Sequence, residues 1–166
     1  GRMPDVTVTP VGEADLGELL PLVRSYLDFY ESSPADAPLI APGAGPTDEA
    51  MRALSHALIA DPETEGVQFL ARDGDGRAVG FATLFWTWST TSGGRLGVMN
   101  DLFVAADGRG SGAAEALIEA CRARCAQRGA VALAWVTARD NVRAQKVYDR
   151  VGGERDERWL DYSLDV

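Results

Sequence analysis

The sequence predicts an α+β fold with a mixed sheet, antiparallel in its first part and completed by a later strand–helix–strand crossover. Three observations lead there. Val67 to Arg72 and Ala78 to Trp88 are runs rich in β-branched and aromatic residues, joined by Asp73-Gly74-Asp75-Gly76, whose glycines suit a tight hairpin. Between Leu96 and Thr137 a strand pattern, a glycine-rich turn, a helical pattern and a second strand pattern follow one another, and only a crossover joins strands that way. The length, 166 residues, fits a single domain over residues 3–166, because one core commonly organises about 100–200 residues.

Gly1 and Arg2 ahead of Met3 read as a vector-derived remnant and stand outside the fold. Val6 to Val11 alternates apolar and polar residues and is a first strand. Leu16, Leu19, Leu20, Val23, Leu27 and Tyr30 recur at helical spacing. A start near Glu18 would put Pro21 in the first turn, where its missing N–H costs nothing. The prolines and glycines of Ser32 to Pro46 make a loop. A helix from Thr47 to Ala60 would bury Met51, Leu54, Leu58 and Ile59. After the hairpin, Ser89 to Gly94 is a turn and Leu96 to Val104 the next strand. Ala114, Leu117, Ile118, Cys121 and Cys125 stripe a helix ending near Arg128-Gly129. Ala130 to Thr137 is expected as a buried strand, Asn141 to Val151 as a helix and Trp159 to Leu164 as a last strand.

Composition removes several functions. The formal charge is −9 and Lys146 is the single lysine, which disfavours a nucleic-acid binder, whose affinity comes from clustered cations. The longest apolar runs fall well short of the roughly 20 residues of a membrane helix. Cys121 and Cys125, four apart in a helical pattern, match neither a zinc site nor a disulfide framework, so no metal is expected and a reducing cytoplasm is the natural setting. His56 lies off its helix's apolar face and reads as exposed.

Chemistry concentrates at Gly108-Arg109-Gly110-Ser111-Gly112-Ala113-Ala114, between a strand and a helix. Unpaired N–H groups at a helix start attract anions, and glycines let a phosphate approach the backbone. A Walker-type loop would need a lysine, which is missing. A dinucleotide fingerprint could use Gly108, Gly110 and Ala113 with Asp140, but that motif opens a parallel sheet and this turn follows antiparallel strands.

Arg109-Gly110-Ser111-Gly112-Ala113-Ala114 resembles the acyl-CoA pyrophosphate loop of the GNAT N-acetyltransferase superfamily, with Arg109, Gly112 and Ala114 in its defining places. Asp101-Leu102-Phe103-Val104 before it and Ala116-Leu117-Ile118 after it resemble that family's incoming strand and outgoing helix. Asn141-x-x-Ala144-x-x-x-Tyr148-x-x-x-Gly152 resembles the family's second motif. Trp135-Val136-Thr137, Ala144-Gln145 and Tyr26-x-x-Phe29-Tyr30-Glu31 look like the polyamine and histone acetyltransferase branch. The resemblance implies a mixed, mostly antiparallel sheet flanked by helices in three α/β/α layers. It also implies acetyl-CoA as cofactor, a small-molecule amine such as a polyamine as acceptor, direct transfer in a ternary complex, and it admits a homodimer.

Residue by residue, the resemblance gives Leu102, Phe103 and Val104 the pantetheine arm and thioester carbonyl through their backbones, beside an ordinary role as strand core. Arg109, Gly110, Ser111, Gly112, Ala113 and Ala114 receive the pyrophosphate. Asn141 becomes a cofactor contact or only the helix cap, and Tyr148 the acid that protonates the departing thiolate, or a tyrosine on a helix face. Tyr26, Phe29, Tyr30, Glu31, Trp86 and Asn100 would line the acceptor site; Tyr30, Trp86 and Trp88 could equally be core. Asn100 stands where polyamine acetyltransferases often carry a glutamate, so the base is open. Asp101 is the nearest carboxylate, but strand alternation points it away from Asn100. Glu31, Asp28 or a water relay are alternatives. The missing glutamate also motivates a second reading, a catalytically silent acyl-CoA-binding module.

Overall fold

The computed structural model describes residues 5–31, 43 and 45–166. Gly1 and Arg2 and most of the expected loop from Ser32 to Pro46 lie outside these residues. The chain forms two compact units, one reaching to Val136 and the other Thr137–Val166.

In the first unit, β1 (Thr7–Pro10), β2 (Gly66–Arg72), β3 (Ala78–Ser89), β4 (Gly94–Val104) and β5 (Ala132–Ala134) lie in that order in one sheet. The first four are antiparallel and β5 runs parallel to β4, as the hairpin and crossover patterns predict. At the hairpin, Asp73 Oδ1 accepts from the N–H groups of Asp75 and Arg77, each at 3.0 Å, which folds the turn on its own side chain.

Helices α1 (Leu16–Glu31) and α2 (Asp48–Ala60) cover one face, where Leu16, Leu19 and Leu22 pack with Leu70 and Phe81. The early start of α1 departs from expectation, because Pro21 sits inside the helix and not in its first turn. Burial decides this: Leu16 and Leu19 are 2% and 0% exposed, and starting the helix at Leu16 places both in the core. Asp15 accepts from the Gly12 N–H at 2.8 Å, and Arg72 pairs with Asp15 and Glu18, which fastens the first turn to β2.

Thr47 caps α2, its hydroxyl accepting from Ala50 N at 3.1 Å. Its buried face is Met51, Ser55 and Leu58, whereas Leu54, expected inside, is exposed. Ser55 takes that place because a buried partner, Gln68 of β2, satisfies its hydroxyl at 2.7 Å.

Helix α3 (Ala113–Arg128) covers the opposite face and ends, as its sequence predicts, at Gly129 with φ 77°. It comes so close to β4 that a Cβ at Gly97 would stand 2.3 Å from Cys125 Sγ. Cys121 and Cys125 are buried free thiols, and burial, with Cys125 beside it, pushes the Cys121 thiol up to about 12. Three layers result: α1 and α2, the sheet, and α3.

In the second unit α4 (Val142–Arg150) forms where predicted, capped by Asn141 Oδ1 accepting from Ala144 N at 3.2 Å. Trp159 to Leu164 does not form the expected strand; its apolar residues are exposed, and among the described residues of this unit no other strand offers it a ladder. The strand expected over Ala130 to Thr137 shrinks to β5 and is not buried. It pairs with β4 only along Leu96–Val98, just before β4 bulges. No helix among the described residues is long and apolar enough to cross a membrane.

Candidate active site

The decisive local feature is a β-bulge in β4. Asp101 stands opposite Thr83 and Met99 opposite Leu84, so two neighbours on β3 face three residues of β4 and Asn100 is the extra one. The bulge corrects the alternation expected from the sequence, which separates Asn100 and Asp101 onto opposite faces. Their side chains meet instead, Asn100 Nδ2 donating to Asp101 Oδ1 at 3.2 Å. Asn100 is exposed and Asp101 half-buried, so a carboxylate sits just inside the surface with an amide over it.

The Asn100 amide donates to that carboxylate, and the nearby hydroxyls of Thr83 and Tyr26 also favour its charged form. Burial outweighs them and holds the Asp101 carboxyl above its ordinary value. Tyr26 is pushed well above the phenol range, by burial first and then by the Asp101 charge, so it stays a donor at neutral pH.

Tyr26 also packs edge-on against Tyr30 at 4.8 Å and Phe81 at 5.6 Å, and lies tilted to Phe103 at 5.9 Å. Phe29 is exposed beside Tyr30, with ring centroids 5.6 Å apart, and Glu31 is half-buried at the end of α1. Trp86 is buried, and its indole N–H is spent on Pro62 O at 2.9 Å. Trp88 is exposed, with Arg95 stacked 4.6 Å from its ring centroid. His56 is exposed and pairs with Glu13 at 2.8 Å.

From Met99 onward β4 has β3 on one side and, among the described residues, no ladder on the other, so the backbone of Leu102, Phe103 and Val104 has an edge without strand pairing there. The chain then passes through a 3₁₀ turn, Ala106–Gly108, into the loop before α3. Gly110 and Gly112 take φ of 77° and 86°, a left-handed backbone that other residues adopt only with strain. A Cβ at either would meet nothing within 4 Å, so the loop's outer side is clear. Gly112 is the N-cap of α3 and supplies no side-chain acceptor to its first turn. Ser111 Oγ donates back to Gly108 O, folding the loop toward its own start. This chemistry fits a pyrophosphate: a helix start whose cap supplies no side-chain acceptor, preceded by glycine backbone with nothing crowding it.

Asn141 and Tyr148 belong to the second unit, where Asn141 caps α4 and Tyr148 lies within it. Sequence reasoning passed over Ser55, Gln68 and Thr83, which line up behind Asp101. The signal was present: Gln68 and Thr83 are polar residues inside otherwise apolar strand runs.

The profile of the acetyltransferase (GNAT) family matches residues 27–153. An uncharacterized N-acetyltransferase of Bacillus subtilis (strain 168), YhfO, is 28% identical over 153 residues, covering 92% of this chain and 93% of that protein. The crystal structure of a probable acetyltransferase shares 27% identity at a TM-score of 0.76, covering 96% and 97% of the two chains. The aminoglycoside acetyltransferase AAC(6')-Iy, solved with a bisubstrate analogue, CoA-S-monomethyl-acetylneamine, has the same fold at 22% identity and a TM-score of 0.73, covering 97% and 99%. With the bulged fourth strand, the glycine loop at a helix start and a profile match across most of its length, the chain belongs to the GNAT acetyltransferase family and is an acetyltransferase.

Proposed function

We propose that the protein acetylates a primary amine of a small cationic molecule, polyamine-like or of similar charge, by direct transfer from acetyl-CoA in a ternary complex. The observation that carries this reading is Asp101, a half-buried carboxylate next to exposed Asn100 and immediately before Leu102, Phe103 and Val104 on the part of β4 that lacks a ladder to β5. A carboxylate there attracts an ammonium group and accepts its proton. The net charge of −9 adds long-range attraction for a cation. The neighbour AAC(6')-Iy, solved with the bisubstrate analogue CoA-S-monomethyl-acetylneamine, supports an amine acceptor.

In this reading Arg109, Gly110, Ser111, Gly112, Ala113 and Ala114 hold the pyrophosphate, and Leu102, Phe103 and Val104 align the arm and polarise the thioester carbonyl. Asn141 adds a cofactor contact. Bound acetyl-CoA supplies the activated acyl carbon. Asp101 takes one proton from the ammonium, and the freed nitrogen attacks the thioester carbon. The C–N bond forms as the C–S bond breaks, and the thiolate receives a proton from Tyr148. The proton still carried by the nitrogen passes through water to the Tyr148 phenolate as the amide forms, leaving one net proton on Asp101 to be released to solvent. Tyr26, Phe29, Tyr30 and Glu31 border the acceptor; Asn100 orients the carboxylate, and Trp86 supports that wall from inside.

A panel of polyamines, aminoglycosides, amino acids and histone-like peptides, incubated with acetyl-CoA and read by CoA release, tests this. Amine-dependent release with a small polycation supports it. Binding of acetyl-CoA with no release for any amine contradicts it and identifies a silent acyl-CoA-binding module.

A further inference from the structure

Behind Asp101 a row of buried polar side chains crosses the sheet. Gln68 on β2 stands directly opposite Thr83 on β3, and Thr83 directly opposite Asp101 on β4, so all three share one face. Ser55 reaches the row from α2. Its hydroxyl donates to Gln68 Oε1 at 2.7 Å, and Gln68 Nε2 donates to Thr83 Oγ1 at 3.2 Å. Ser55, Gln68 and Thr83 are 1%, 5% and 0% exposed, in a layer otherwise built from Leu70, Phe81 and Leu19. Three buried polar groups are costly in such a core, and their mutual bonds only offset that cost. Among the described residues no buried side-chain nitrogen or oxygen is left without a partner.

The direction of these bonds is informative. An amide oxygen cannot donate, so Ser55 must. An amide nitrogen cannot accept, so Thr83 Oγ1 receives the Gln68 hydrogen and has its own hydrogen free for Asp101. Every donor therefore points from α2 toward the carboxylate, and each bond polarises the next. We propose that Ser55, Gln68 and Thr83 are positioning residues, a one-way hydrogen-bond rung that fixes the Asp101 carboxylate at the β4 bulge and keeps it ionised for accepting the amine proton. This rests on the assignment of Asp101 as proton acceptor. The ionisable group facing Asp101 from α1 is Tyr26, with Tyr30 behind it at 3.5 Å; Thr83 on β3 and Asn100 on β4 carry no charge. Asn100 donates from the open side, the Tyr26 hydroxyl is directed at Tyr30, and Thr83, directly opposite on β3, faces the carboxylate from the closed side.

The test is the titration of the Asp101 side-chain carboxyl, followed by carbon-13 NMR on the full chain, together with the acidic limb of kcat/KM. Thr83→Val keeps the volume and removes the donor; Thr83→Ser keeps the donor. Losing the hydroxyl that faces the carboxylate should raise the Asp101 midpoint and move the acidic limb upward by about one pH unit in Thr83→Val. Thr83→Ser should restore both. Gln68→Leu, one step further away, should move them in the same direction by less, and it supplies the answer if Thr83→Val does not fold. Lower melting temperatures with an unmoved carboxyl midpoint would overturn the proposal and leave the row a purely structural network. The carboxyl titration needs no substrate, so it separates this proposal from its premise: unchanged kinetics in Asp101→Asn would remove Asp101 from the reaction whatever the rung does.

Discussion

Asn100 and Asp101 are consecutive in a β-strand, yet the amide of one donates to the carboxylate of the other at 3.2 Å. In a regular strand neighbouring side chains point to opposite faces and cannot meet this way. The bulge opposite Thr83 and Leu84 brings them together, and it determines what substitution at Asn100 does. Asn100→Glu would place a second carboxylate against Asp101 and delete one of its donors. We expect kcat/KM to fall across pH 6–9, although glutamate is the residue often found at this place in polyamine acetyltransferases. A gain in kcat/KM would show that Asp101 is not the group that matters.

Asp101 should cost stability while it serves the reaction. Burial raises its folded-state value above the unfolded one, so the folded chain holds the proton more tightly. Stability is therefore favoured at low pH, and is lost as pH rises from the ordinary carboxylate value through the raised one. Asp101→Asn mimics the protonated form and should melt higher than the parent at pH 7, with the difference shrinking toward acid. Thermal denaturation of both proteins across that range checks the sign.

Most of the frame was legible in the sequence because its signals are local. The alternation of Val6 to Val11, the Asp-Gly hairpin and the glycines bracketing α3 each fix an element without distant help. The family motif at Arg109 to Ala114 has a physical counterpart in the left-handed Gly110 and Gly112. What the sequence hid depends on pairing. The bulge exists only in the register between β3 and β4, and a periodicity argument across Asn100-Asp101 has no access to it. Ser55 reads as a surface residue until Gln68 is placed against it, and Pro21 reads as a helix start until the burial of Leu16 is known.

The loop before α3 should be intolerant of side chains. Gly112 holds φ 86°, so any substitution strains the backbone, and Gly112→Glu adds a negative charge where pyrophosphate would lie. Acetyl-CoA affinity should fall at least about tenfold, roughly 1.4 kcal/mol. Calorimetry on the folded variant decides, and unchanged affinity would move the cofactor elsewhere.

Tyr148→Phe removes a hydroxyl and keeps the ring. If that hydroxyl protonates the departing thiolate, kcat should drop by roughly 10²–10⁴ with acetyl-CoA binding unchanged. Parent-like turnover would assign the acid to another group.

At Gly97 the constraint is packing alone. A Cβ there would lie 2.3 Å from Cys125 Sγ, so Gly97→Ala should destabilise by about 1–3 kcal/mol. Adding Cys125→Ala removes the obstructing sulfur and should recover part of the loss in a denaturant titration. Full additivity of the two penalties would contradict the contact.

The role of Asp101 as the group that receives the acceptor's proton is tested most directly by kcat/KM measured against pH 5–9 for the parent and Asp101→Asn. With the best amine of the panel, the parent should show an acidic limb, and Asp101→Asn should lose that limb and roughly 10²-fold or more in rate while binding acetyl-CoA as before. Superimposable profiles for the two proteins would contradict it.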